Sequence, residues 1–313
     1  MRICSLLPSA TEIVYALGMG GSLVGVTHEC DFPPEVAAIA KVTGSHIPPG
    51  VTSREIDSLV SSTLERQGSL YELDLPLLKS LKPDLILTQR LCDVCAVSYD
   101  LVQEAMRSLS SHPLVLNLEP HSLDDIFETI RAVAGVTESE RAAEPLIQRL
   151  QKRVAAVRDK TRTATRRRVF SMEWVDPPYC GGHWMKELVE IAGGQDDLAV
   201  LHRPSYRIEW ERVLEFAPEV IVLTCCGFDL MRCEQEGTIL STFRGVCDLP
   251  AVRADCVFAT DGSHFFSRPG PRIVDSLELL AHLVHPELCS PPLVANAFRA
   301  LHLLPAKQAS IAT

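Results

Sequence analysis

The chain has 313 residues with 30 basic and 40 acidic side chains, a net charge of −10, which disfavours general binding to nucleic acid or anionic membrane. The length suffices for two hydrophobic cores, and no apolar run reaches the ~18–20 residues that span a bilayer. The eleven cysteines are odd in number and scattered, a usage that fits a reducing compartment better than a disulfide framework.

The elements follow in order. Residues 3–7 read as a strand. Ser9 with Glu12 three residues on predicts a capped helix over 10–17, closed by Gly18. Residues 23–27 form a second strand, followed by HECDFPP. A helix begins at Thr52 or Ser53, and a shorter one spans 75–81. The apolar run 85–88 is a buried strand leading into QRLCDVCAVS and a helix. Residues 114–118 are a strand, and 122–134 a helix ending at Gly135.

Residues 137–163 then predict one long helix. Thr137 with Glu140 is its expected capping box, and Leu146, Leu150, Val154 and Val157 form its narrow apolar stripe. Pro145 lacks an N–H and interrupts the ladder.

Beyond it the pattern repeats. A strand over 169–174 precedes the loop VDPPYCGGH. Helices follow over 184–192 and 208–216, then a strand over 220–224 ending in CCGF. A strand over 256–260 ends in DGSHFFSRPGP, and a helix spans 273–285. The tail after Pro286 is rich in Pro and Ala and is expected to fray.

KSLKPDLILTQ upstream and LEFAPEVIVLTC downstream share one order: helix end, proline, short apolar strand. The fold class is therefore α/β, with two Rossmann-like lobes joined by a single long linker helix. The expected divisions are 1–121, 122–165 and 166–313. A pocket is expected where the carboxyl ends of the strands face an interlobe cleft.

His28, Cys30, Cys92, Cys95, Cys180, His183, Cys225, Cys226 and His264 all follow predicted strand ends. Convergence of at least three of them on one site competes evenly with simple packing, since cysteine is a common small core residue. Cys92 and Cys95 form a CxxC without the second pair of a structural zinc site, so zinc, redox work and packing stay open. Asp261 and His264 are an acid–base candidate pair. Trp174, Tyr179, Trp184, Phe228, Phe265 and Phe266 share the same loops and suit a flat or hydrophobic ligand, with packing the competing role. The chain carries no GxSxG elbow, P-loop, GxGxxG or HExxH motif.

The ordered segments ICSLLPSATEIVYALG, LKPDLILTQ, VFSMEWVDPPYCGG, APEVIVLT and FFSRPGPRIVDSLELL resemble the helical-backbone, class III substrate-binding proteins of ABC importers for cobalamin and iron chelates. CDVCAVS brings the chain nearest the cobalamin-binding branch. The resemblance implies a ligand held between lobes and no catalysis. By the same resemblance, Gln89 stands where a tryptophan meets the corrin, and His264 replaces an acid in the last cleft loop. Pro76 takes the place of the permease-facing acid of the first lobe, whereas its counterpart Glu211 is kept.

These readings converge on a soluble binding protein, not an enzyme, that holds cobalamin, a related corrinoid or another metal-bearing ligand. Its expected ligand contacts are Tyr15, His28, Gln89, Arg90, Trp174, Tyr179, Trp184, Phe228, His264 and Phe265. A competing reading is a metal-binding or thiol-redox protein, with zinc or iron as cofactor, on Cys30, Cys92, Cys95, Cys180, His183, Cys225 and Cys226. The expected partner is a small molecule. Nucleic acid and membrane insertion are not expected, Pro76 speaks against permease docking, and the chain sets no oligomeric state. The absence of a leader before Arg2 predicts a cytosolic location, or a periplasmic one if a leader was removed.

Overall fold

The computed structural model describes residues 1–303 except 49, 68, 91–98, 108, 110–111, 292–293 and 295–296. The chain divides into two units, 1–152 with 268–272 and 153–267 with 273–313.

In unit 1, β1 (Ile3–Ser5), α1 (Pro8–Ala16), β2 (Leu23–Val26), β3 (Ala40–Lys41), β4 (Thr43–Ser45) and α2 (Ser53–Gln67) come first. Then come β5 (Tyr71–Leu73), α3 (Leu75–Leu81), β6 (Leu85–Thr88), α4 (Tyr99–Arg107), β7 (Leu114–Asn117) and α5 (Leu123–Thr137). A five-stranded parallel sheet has the order β3-β2-β1-β6-β7, and β4 pairs with β5 antiparallel beside it. All four residues of β6 are buried, as the apolar run LILT requires of a strand covered on both faces. Cys4, Leu6, Val42, Leu78 and Ile86 pack into one core. At Gly25 a Cβ would come within 2.9 Å of Cys4, Val42 and Leu81, so only glycine lets these strands and α3 pack this closely.

Two caps differ from the sequence reading. Helix α1 starts at Pro8, whose missing N–H suits a first helical position, and its N-cap is Leu7 without a side-chain bond. Ser9 is buried in the first turn and Glu12 serves another purpose, described below. Helix α5 runs past Gly135 to Thr137, where Glu138 in the left-handed region closes it. Thr137 Oγ1 donates to Val133 O and lies 2.7 Å from Ser139 Oγ, so it ends one helix instead of opening the next. The following helix α6 spans Glu140–Thr161 with Pro145 inside it. The division between units falls within α6.

Unit 2 holds β8 (Arg167–Trp174), β9 (Tyr179–Cys180), α7 (Met185–Ile191), β10 (Gly194–Gln195), α8 (Trp210–Phe216) and β11 (Val220–Leu223). It continues with α9 (Leu230–Gly237), α10 (Pro250–Arg253), β12 (Val257–Thr260), α11 (Ile273–Val284) and β13 (Phe298–Ala300). Its sheet follows β10-β8-β11-β12-β13, parallel except for β13, and β9 adds antiparallel to β8. The predicted tail is thus partly ordered: Phe298 packs edge-on against Phe258 at 5.9 Å, and that contact pins the strand to the sheet edge. Arg153 of α6 reaches Asp275 at 2.6 Å and Glu278 at 2.7 Å on α11. The group is a third exposed, so Arg153→Ala is expected to cost only about 1 kcal/mol, read as a small shift of the urea midpoint.

Candidate functional site

Parallel strands end together, so the loops that follow them gather at one edge of each sheet. In unit 1 this edge carries Thr27, His28 and the segment after them. Thr43 Oγ1 is shared: it lies 2.8 Å from Thr27 Oγ1 and 2.7 Å from His28 Nδ1, and it accepts the His28 backbone N–H at 3.0 Å. Glu29 Oε1 lies 3.2 Å from His28 Nε2, and the bond to His28 holds the Glu29 carboxyl below its ordinary value. The Tyr71 ring stands 5.5 Å from that imidazole. Gln89 is buried and Arg90 exposed just past β6. Tyr15 lies elsewhere on the unit, in a shallow pocket of about 410 Å³ with Phe32, Pro33 and Arg272.

Below this edge sits a charged cluster that the sequence did not announce. The Glu12 side chain is 2% exposed, accepts two bonds from Arg272 at 2.6 and 2.9 Å, and lies 3.6 Å from Arg268. Arg268 also holds both carboxylate oxygens of Asp31 and donates to Glu29 O. Burial opposes the Arg268 charge, and the Asp31 and Glu12 carboxylates more than offset it.

In unit 2, three adjacent strands, β8, β11 and β12, deliver loops that are stitched to one another. Trp174, half-buried, lies 4.8 Å from Phe228, and the Arg232 guanidinium stands over the Phe228 ring at 3.9 Å. The Ser263 N–H donates to Phe228 O at 3.2 Å. Asp261 closes the turn after β12, accepting the His264 backbone N–H at 2.9 Å and meeting His264 Nδ1 at 2.5 Å. Gly262 is where the loops touch: a Cβ there would stand 2.2 Å from Cys225 O. Gly262→Ala is therefore expected to displace the 225–228 loop and cost about 1–3 kcal/mol, seen as a lower denaturation midpoint and altered Trp174 emission.

Several expected contacts are packed away. Trp184 is buried and its Nε1 donates to Phe266 O at 3.1 Å, which consumes the ring's polar edge. Phe228, Phe265 and Phe266 are buried as well, so the rim presents Trp174 and Tyr179 as its half-exposed aromatic faces.

Among the described residues no group of three or more His, Cys, Asp or Glu is placed to hold a metal ion. Cys30 lies in unit 1 against Thr11 Oγ1 at 3.1 Å, and Cys180 in unit 2 against Tyr206 O at 3.5 Å. Burial raises both thiols to about 11, which keeps them protonated and unreactive at neutral pH. Cys225 is buried against Cys233, whose hydrogen bond, with burial, raises the Cys225 thiol well above its ordinary value. Cys226 is half-buried beside it, and His183 donates its N–H to Arg203 O with its ring stacked 5.5 Å from Trp184. Cys92 and Cys95 lie outside the described residues.

Two successive α/β units, each a mainly parallel sheet with its polar and aromatic side chains at the carboxyl edge, define the class III architecture of substrate-binding proteins. A family profile described as periplasmic binding protein matches residues 3–263, and the chain belongs to that family. An ABC transporter substrate-binding lipoprotein of Bacillus subtilis, YvrC, is 24% identical over 91% of this chain and 80% of its own length. A vitamin B12-binding protein of Vibrio cholerae is 25% identical over 88% of this chain and 86% of its own. The periplasmic heme-binding protein RhuT of Roseiflexus matches with a TM-score of 0.68 and 22% identity, over 91% of this chain and 98% of that one.

The family is one of binding proteins, not of enzymes. The cytosolic placement is corrected by the same findings, since the family and the relatives are periplasmic or lipoproteins. The argument from cysteine usage fails for a physical reason: Cys4, Cys30, Cys180 and Cys225 are core residues, and a buried thiol survives unpaired without a reducing compartment. No helix among the described residues is long and apolar enough to cross a membrane.

Proposed function

We propose that this protein captures a metal-bearing tetrapyrrole, a corrinoid before a haem, and presents the strand-end rim of unit 2 to it. The observation that carries the reading is the Trp174–Phe228 pair, in which a half-buried indole rests against a buried ring that itself carries a guanidinium. A planar macrocycle gains from stacking on such a backed face, because the ring it meets is already ordered. The ligands named for the Vibrio and Roseiflexus proteins belong to the same chemical class. Catalysis forms no part of the reading. Glu211 stands exposed in the first turn of α8, while Pro76 brings no charge to the first turn of α3, so the proposal is one of ligand capture.

The test is titration of the purified chain with cobalamin and, separately, with haemin, followed by absorbance and calorimetry. Saturable micromolar binding of either supports the reading, and no binding below millimolar of both sinks it. Trp174→Ala is expected to weaken binding roughly tenfold while leaving the fold intact, since the residue is only half-buried.

A further inference from the structure

The ends of β6 and β7 carry two polar atoms that packing leaves unanswered. The strands pair in parallel, with Ile86 opposite Val115 and Thr88 opposite Asn117. Side chains alternate along a strand, so both pairs lie on one face of the sheet. Ile86 and Val115 pack in the apolar core of unit 1. Thr88 and Asn117 end the same two rows at the carboxyl edge, Thr88 fully buried and Asn117 half-buried. Thr88 Oγ1 and Asn117 Oδ1 are sealed from solvent, and neither has a hydrogen-bond partner among the described residues. The Asn117 amide is held in one orientation. Its Nδ2 donates to Glu119 Oε1 at 2.7 Å, which only an N–H can do, so Oδ1 is the atom left without a donor. Buried polar groups are seldom left unpaired, because each one costs free energy. A hydroxyl beside an amide oxygen matches a primary carboxamide: the Thr88 O–H donates to its oxygen, and its N–H donates to Asn117 Oδ1. A carboxylate fits poorly. It has no N–H for Oδ1, and the Glu119 carboxylate bonded to Asn117 repels it.

We infer that the paired ends of β6 and β7 form a carboxamide-binding site in unit 1, which selects amide-bearing macrocycles over carboxylate-bearing ones. The inference rests on the proposed function, which supplies the carboxamide. A corrinoid carries primary carboxamides around its ring, whereas haem carries carboxylates. Thr88 and Asn117 thus determine specificity for the ring's periphery and leave its metal untouched.

The experiment titrates the full chain with two ligands of one metal state. Dicyanocobinamide keeps the ring carboxamides, and in dicyanocobyrinic acid they are carboxylic acids. The unaltered protein is expected to bind cobinamide at least roughly tenfold more tightly than cobyrinic acid at neutral pH. Thr88→Val and Asn117→Leu should each remove most of that preference by weakening cobinamide, while affinity for cobyrinic acid shifts less than about twofold. Thr88→Ser keeps the hydroxyl and should keep the preference. Thr88→Val should not lower the melting temperature of the ligand-free protein, because the hydroxyl it removes has no protein partner among the described residues. A preference retained in both Thr88→Val and Asn117→Leu overturns the carboxamide site and leaves the proposed function standing. A lowered melting temperature in those variants would then assign the two atoms to a buried water. Equal binding of both ligands by the unaltered protein also overturns the site alone. No binding of cobinamide, cobalamin or haemin by the unaltered protein overturns the site and the proposed function together.

Discussion

Glu12→Ala is expected to destabilise unit 1 by roughly 3–5 kcal/mol, the usual penalty for removing one partner from a buried ion pair. The side chain is 2% exposed and its carboxylate is the joint partner of two guanidiniums, one on each side of Pro269, Gly270 and Pro271. Asp31 continues to neutralise Arg268 when Glu12 is gone, but Arg272 loses both of its bonds to a carboxylate. Arg272 also lies over the Phe32 ring at 4.1 Å, so its release should loosen the wall of the Tyr15 pocket. Glu12→Gln keeps the shape and loses the charge, and should fall between the parent and the alanine variant. At about 2–4 °C per kcal/mol the alanine variant should melt roughly 6–20 °C lower. A melting temperature within a degree of the parent would show that water reaches the cluster and that the carboxylate is dispensable.

That cluster also marks the limit of what the chain discloses about itself. Glu12 and Arg272 are 260 positions apart, and Arg268 and Asp31 are 237 apart. No local pattern links residues at such distances, and Glu12, three residues after Ser9, imitates a capping box that Pro8 pre-empts. The β4–β5 pair escaped for a related reason. Its three-residue strands sit on either side of α2 and lack alternation, so only the tertiary fold brings Thr43 opposite Leu73. By contrast β6 and α3 were fully legible. The run LILT has nowhere to go but a buried strand, and the helix expected over 75–81 forms there, capped by Asp74 Oδ1 accepting the Leu77 N–H. In the candidate site, the strand-end loops, with Trp174 at a strand's last position and Phe228 and His264 on the loops, could be read from strand positions alone. Which aromatic rings turn inward could not. The choice depends on partners such as Phe266 O for Trp184, and these are set by loop geometry. The thiols left metal binding and packing undivided because cysteine's apolar character and its metal affinity leave the same mark on a sequence; among the described residues they form no metal-holding group.

Asp196 is expected to control the pH profile of unit 2 and to cost about 3–5 kcal/mol when replaced by alanine. The residue is fully buried, and four donors converge on its carboxylate. Ser171 gives its N–H at 3.1 Å and its hydroxyl at 2.5 Å, and the Leu198 and Ala199 N–H groups each lie at 3.1 Å. Alanine would strand three backbone N–H groups away from water, at about 1–3 kcal/mol each before relaxation. Burial pushes the carboxyl above its ordinary 3.8, and the Ser171, Ala199 and Leu198 bonds recover only part of that shift. The folded state therefore takes up this proton more readily than the unfolded state does. Its contribution is most favourable below 3.8 and declines as pH rises through the raised folded value. Asp196→Asn removes the titration but turns an amide donor toward Ser171, so it should be less stable than the parent throughout. The gap between parent and Asn variant, measured by urea unfolding, should narrow as pH climbs from about 4. Other titrating groups cancel in that difference. A gap that stays constant from acid to neutral pH would mean the carboxyl titrates alike in both states, with the four donors fully offsetting its burial.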